Sequence, residues 1–222
     1  MSTNEIIFKD LGIIHIIKPR LKNSYVRVNE DYKVILTTSK VSKSYVEELL
    51  IEKENWIRKQ ILKRKQNPPV QINLEDEVLL FGEIYSVDSD EASELRALLN
   101  RLRIVNKKNI LRCYDDFYKI FSQNYLTLRT QHFAQIMNLK YKEIKFKKMR
   151  SRWGSCNSDR VITFNTALIK LTKEQIDYVV VHELAHLVHM NHSKLFHNLV
   201  DIYFADSKRV RQEIKNRQNF TL

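Results

Sequence analysis

The chain reads as an α+β protein, and three observations carry that reading. Its strand-like segments come in adjacent groups rather than singly between helices. One long helical period runs from Ile110 to Met137, and a second, capped helix carries a cluster of histidines. The expected organisation is a β-rich region over 1–104, with one basic helix and a hairpin, followed by a metal-binding region over 105–222.

The elements follow in order. "IIFKDLGIIHIIKP", "SYVRVNED" and "YKVILTTS" are rich in Ile, Val and Tyr with short polar breaks, the pattern of paired strands. A helix is expected from a capping box at Ser44 and Glu47, with Val46, Leu50, Ile57 and Ile61 on its buried face. Its far end, "WIRKQILKRKQ", is basic, and Asn67 to Pro69 should stop it. "EVLLFGEIYSVD" predicts a hairpin turning at Gly82, and "SELRALLNRLRI" a short helix. From Ile110 to Met137, Tyr114, Phe117, Phe121, Tyr125, Leu128 and Phe133 track one helical face. "YKEIKFKKM" and "RVITFN" then read as two paired strands joined by "SRWGSCNSD". A capping box of Thr172 and Gln175 announces the helix of "IDYVVVHELAHLVHM", and "KLFHNLVDIYFA" with basic "SKRVRQEIKNRQ" closes the chain.

Bulk composition narrows the function classes. Among 222 residues, 43% are hydrophobic and 29% charged, with three glycines and three prolines, so a packed globular chain is expected rather than a low-complexity one. No apolar run approaches the ~20 residues that span a bilayer, and "MSTNEIIFKD" lacks the basic start and apolar run of a secretory signal. Cys113 and Cys156 form no CxxC pair, so neither a disulfide framework nor a thiolate zinc knuckle is expected. These features point to a cytoplasmic protein with no membrane partner. A net charge of +12 favours anionic partners and admits nucleic acid as one of them.

The chemistry lies in "VVVHELAHLVHMNHSKLFH". His182 and His186 stand one turn apart on one helical face, the geometry that lets both imidazoles reach one zinc ion. Glu183 is displaced by about 100° and can reach a water there without being a ligand, the place of a general base. Burying two imidazoles and a carboxylate in an otherwise apolar helix is costly without a partner, which argues for a metal.

The third ligand is a matter of geometry. His189 shares the face of His182 but would stand about 10 Å up the axis, too far for one ion. His192 can return only if the chain turns first, and Asn191 tolerates the left-handed conformation that ends a helix. His192 is the favoured third ligand, His197 the fallback, and Asp201 a more distant one. His189 and His197 otherwise read as surface or supporting residues, and His15 and His132 as satisfied core histidines. Gly154 fits a tight turn before the metal helix, and Cys156 a buried or loop thiol.

The stretch from Ser151 to Phe196 also resembles a known family. Arg152-Trp153-Gly154-Ser155-Cys156, Asn165 with Leu168, Tyr178-Val179, the HELAH helix, and Asn191-His192-Ser193 with Phe196 are similar to the signature of the YgjP-like metal-dependent hydrolases, relatives of the SprT-like zinc metallopeptidases. "WIRKQ" at Trp56 and "LLFGEIYSV" resemble the family's amino-terminal half more weakly. The resemblance implies a β-rich amino-terminal part followed by a zincin-like metallopeptidase domain. It implies His182, His186 and His192 as zinc ligands and Glu183 as the catalytic residue. His197 departs from the pattern, since the family usually carries tryptophan there.

The leading expectation is therefore a zinc-dependent hydrolase acting on a peptide or protein, with Arg152, Trp153 and Asn165 as candidate substrate-binding residues. Arg152 or a tyrosine is the candidate for stabilising an oxyanion. One alternative is a nucleotide or phosphoanhydride hydrolase, suggested by "KFKKMRSR", although such enzymes usually hold magnesium through carboxylates. Another is a nucleic-acid-binding module with structural zinc, which would need four protein ligands.

Overall fold

The computed structural model describes residues 2–29, 31–66, 68 and 71–216. The chain divides into two compact units, Met1–Pro69 and Val70–Leu222.

The first unit is a four-stranded sheet with one helix. Its strands are β1 (Ser2–Phe8), β2 (Leu11–Ile17), β3 (Tyr25–Val28) and β4 (Val34–Thr38), in the order β1-β2-β4-β3. β2 and β4 pair in parallel, with Ile13 opposite Val34, while the outer pairs are antiparallel. Helix α1 (Lys43–Gln66) adds Val46, Leu50 and Ile57 to a core with Phe8, Ile13, Val28, Val34 and Leu36. The cap of α1 is Ser42, whose Oγ accepts the Tyr45 N–H at 3.2 Å, two residues ahead of the expected Ser44. Asn67 and Pro69 of the expected stop lie outside the described residues. His15 is a satisfied core histidine, bonded through Nε2 to Thr38 Oγ1 at 2.8 Å.

The second unit begins with the hairpin of β5 (Glu77–Leu80) and β6 (Glu83–Ser86). Phe81 and Gly82 both have positive φ, 51° and 85°, as a two-residue hairpin turn with the twist of its strands requires. A Cβ on Gly82 would meet Thr172 Cγ2 at 2.8 Å, so the turn needs glycine for space as well. Helix α2 (Ser93–Asn100) leads into the long α3 (Lys107–Ile136). The sequence alone groups the hairpin and α2 with the amino-terminal region. Val78, Leu80, Ala92 and Leu95 instead share one core with Tyr114 and Phe117 of α3, which is why 70–104 groups with the second unit. The buried face of α3 runs through Tyr114, Phe117, Tyr118, Leu126 and Ala134; Leu128, expected there, is 66% exposed, and His132 is exposed rather than core.

A three-stranded sheet follows, β7 (Glu143–Lys147), β8 (Gly154–Cys156) and β9 (Val161–Asn165), in the order β7-β9-β8. The two expected strands do pair, but in parallel. The segment joining them contains β8, which forms the antiparallel hairpin with β9 and leaves β9 in the middle. A 3₁₀ turn, Thr166–Lys170, connects β9 to α4 (Lys173–Ala185), which starts at the expected capping box of Thr172 and Gln175. Helices α5 (Lys194–Tyr203) and α6 (Ser207–Asn216) complete the unit. No helix among the described residues is long and apolar enough to cross a membrane.

Candidate metal centre and its cleft

Helix α4 is buried almost all round, with Ile176, Val179, Val180, Val181, Leu184 and Ala185 in the core. His182 and Glu183 therefore occupy positions that water reaches only through a cleft. The helix ends earlier than the sequence suggests. His186 is its C-cap, and the chain turns through Leu187 N–H to Leu184 O (2.9 Å) and His189 N–H to Ala185 O (3.0 Å). Asn191 is not among the residues with positive φ, so the turn is made at 186–189 and not by a left-handed asparagine. Ser193 then caps α5 by accepting the Phe196 N–H at 3.4 Å.

This turn returns His192 to the helix. One ligand atom from each of His182, His186 and His192 lies within 4.8 Å of the others. Nε2 of His182 and Nε2 of His192 face each other at 3.1 Å. Nδ1 of His186 lies 3.0 Å from the His189 carbonyl; donating its proton there leaves Nε2 as the free donor atom. Phe196 packs against all three rings, with centroids 4.8, 4.5 and 4.9 Å away, and limits their rotation.

The charge states suit a cation. Burial pushes His182 down to about 3, with His186 and His192 adding repulsion, and burial likewise lowers His186 and His192. All three are neutral imidazoles near pH 7, the form that coordinates metal. Burial also pushes the Glu183 carboxyl up to about 8, against the opposing pull of Arg152. Glu183 Oε2 and His182 Nδ1 are buried without a hydrogen-bond partner among the described residues. A dication among the imidazoles relieves this arrangement, since it favours an ionised carboxylate nearby. The residues present therefore fit a metal ion.

The remaining candidates fall elsewhere. His197 stacks on His192 at 6.3 Å and accepts a bond from Arg211 Nη1 at 3.4 Å, and Asp201 accepts from Ser207. Neither joins the triad. His189 contributes its carbonyl rather than its ring. Cys156 and Cys113 are free thiols.

A cleft of about 990 Å³ opens beside the triad, bordered by 148–154, the 3₁₀ turn, α4 and α6. Arg152, Trp153 and Asn165 all line it, together with His182 and Glu183. Asn165 is only 4% exposed and its amide is engaged. Nδ2 donates to the Met149 and Arg152 carbonyls at 2.8 and 2.9 Å, and Oδ1 accepts the Ala167 N–H at 3.1 Å. It shapes the cleft by holding its basic wall. Trp153 packs on the core, and its carbonyl accepts the Asn165 N–H at 2.8 Å. Glu183 rests on Gly154: a Cβ there would lie 2.6 Å from Oε1. Sequence reasoning assigned Gly154 to a turn and missed that role. It also missed Lys170, although Lys170 is the one charged residue between Val161 and Leu171, a visible anomaly in an apolar run.

The model of the YgjP-like metallopeptidase domain matches residues 22–217, and the chain belongs to that family. It is a metallopeptidase-like domain with a histidine triad able to hold a metal. The metallopeptidase zymogen of Pyrococcus abyssi abylysin is 23% identical, with 42% of this chain and 96% of that chain covered and a TM-score of 0.37. The metallopeptidase zymogen of Methanocaldococcus jannaschii jannalysin is 19% identical, with 41% and 94% covered and a TM-score of 0.38. No curated protein matches.

Proposed function

We propose that this chain is a zinc-dependent peptidase in which His182, His186 and His192 hold the metal and Glu183 is the general base. One observation carries the reading: three imidazole donor atoms lie within 4.8 Å, with a carboxylate oxygen of Glu183, unpartnered among the described residues, on the helix that carries His182. Three protein ligands are the number at catalytic zinc centres, and an all-imidazole set favours zinc over the oxygen-seeking magnesium of nucleotide hydrolases.

Zinc, when bound, supplies Lewis acidity that activates water and polarises the scissile carbonyl. Glu183 takes the proton of the attacking water and passes it to the departing amine. Arg152 helps keep Glu183 ionised, since it is the charge that opposes the effect of burial. β8 is the edge of its sheet beside Glu183, so an extended peptide can pair with it. Arg152 and Trp153 contact that peptide, and Asn165 positions the 149–152 backbone for it. Two free cysteines fit a reducing, cytoplasmic setting.

Metal analysis with a peptide hydrolysis assay tests the proposal. Glu183→Gln should keep zinc and lose about 10²–10⁴ in turnover. Full activity in that variant would overturn the mechanism.

A further inference from the structure

The cleft carries an unusual charge balance. Lys148, Arg150, Arg152, Lys170, Arg211 and Lys215 line it, against two carboxylates, Asp115 and Glu183. Asp115 is already engaged, accepting from Lys148 Nζ on both oxygens at 2.6 and 2.8 Å. Glu183 is held toward its neutral form by burial.

Lys170 is the distinctive member. It is 4% exposed, whereas Lys148, Arg150 and Arg152 are exposed. Its ammonium lies 4.4 Å from the Tyr118 ring centroid and makes no ion pair among the described residues. The backbone at Lys170 is fixed: Phe81 N–H donates to Ile169 O at 2.9 Å, and Gly82 N–H donates to Lys170 O at 3.1 Å. A hairpin turn that only glycine can make thus docks on the segment that presents the lysine. An ammonium buried without a carboxylate is costly, and an aromatic face offsets only part of that cost. An anion entering the cleft would complete the pair. Trp153, Tyr178, Val179 and Ile214 line the same space, so the anion sits on a ligand with apolar parts.

We propose that Lys170 is a specificity residue that recognises a carboxylate of the peptide bound in this cleft, as a lysine without an ion pair among the described residues, in the cleft that His182 and Glu183 also line, indicates. This rests on the reading of the cleft as the substrate site of a peptidase. The carboxylate is either an Asp or Glu side chain or the peptide's own C-terminus. Burial, joined by repulsion from Lys148 and opposed by the pull of Asp115, lowers Lys170 to about 8, so the ammonium remains charged at neutral pH.

Fluorescence anisotropy on the zinc-loaded, full-length Glu183→Gln chain reads binding without turnover. Three labelled peptides of one sequence serve as probes: one with an internal Glu and an amidated end, one with Gln and a free C-terminus, and one with Gln and an amidated end. At least one carboxylate peptide should bind about tenfold tighter than the neutral one, the yield of one charge-assisted bond. Lys170→Met should bring that ratio to near one, and Lys170→Arg should keep part of it. The peptide that holds the preference tells side chain from C-terminus. Equal affinity for all three peptides overturns the proposal, as does a ratio unchanged in Lys170→Met. Lys170-dependent binding of an oligothymidylate, tighter than that of either carboxylate peptide, overturns it in favour of nucleic acid. Should the methionine variant not fold, the unsubstituted chain decides: the preference must fall with rising sodium chloride, and a salt-independent preference overturns the proposal. Hydrolysis of the same peptides by the wild-type chain is scored in parallel. Lys170-dependent binding with no hydrolysis would sink the peptidase reading and leave the carboxylate site standing.

Discussion

Both units pair charges at their surfaces, but among the described residues only the second also buries charged side chains beside a cleft. In the first, Arg58 bridges Asp10 and Glu54, Lys9 also reaches Glu54, and Arg58 pulls the Asp10 carboxyl down to about 2. These groups are paired, at the surface, where an ion pair contributes little. In the second unit, Lys170 and Glu183 are buried, and neither forms an ion pair among the described residues. Lys170 has the Tyr118 ring and the more distant pull of Asp115, and Glu183 the pull of Arg152, which compensate a buried charge only in part. The second unit is also the one that holds the histidine triad and its cleft.

Zinc should therefore act on one unit only, and this is the largest effect expected. At a thousandfold excess over its Kd, a ligand stabilises the state it binds by about 4 kcal/mol. Hydrogen exchange should show slower opening of α4 and β9 on adding zinc, with β2 and β4 unchanged. Equal protection of both units would erase the contrast.

Next comes the cost of Lys170 itself. Its folded pKa is depressed to about 8, so the penalty is fully present below pH 8. It fades as pH rises toward the unfolded lysine range, where the unfolded chain also loses the proton. Lys170→Met should be more stable than wild type by up to about 3 kcal/mol near pH 7, at about 1.4 kcal/mol per unit, with the gain shrinking above pH 8. Urea denaturation across pH 6–10 checks the sign.

A pair in each unit sharpens the contrast further. Arg129 donates to Asp177 through two bonds of 2.7 and 2.8 Å, with both side chains partly buried. Arg129→Ala should cost about 1.5–3 kcal/mol in chemical denaturation. Arg58→Ala, in the exposed network, should shift the midpoint little.

The last contrast concerns one glycine in each unit. Gly154→Ala must displace the Glu183 carboxylate, costing about 1–3 kcal/mol and a share of the activity. Gly12→Ala, in β2, meets nothing within 4 Å and should be neutral or stabilising by about 0.4–1 kcal/mol. Equal behaviour of the two in thermal melts would show that Gly154 is not a seat for Glu183.

The sequence by itself determined what is local. The Thr172–Gln175 box, the turn at Gly82, the helical run after Ile110 and the HELAH spacing each depend on neighbours a few residues apart, and each is legible without a structure. The expectation that the chain must turn before His192 was local too. Where it turned was not: the break came at His186, because hydrogen bonds back to Leu184 and Ala185 closed the helix before Asn191 was reached. The order β7-β9-β8 was decided by long-range pairing, in which β9 inserts between strands that precede it. The exposure of Leu128 and His132 followed from which side of α3 met the core. Lys170 shows the limit most plainly. A lone lysine in an apolar run is visible in sequence. Only the packing of the Gly82 turn, Tyr118 and the cleft around it decided that its ammonium is buried without an anion, because burial belongs to the assembled elements and not to the segment.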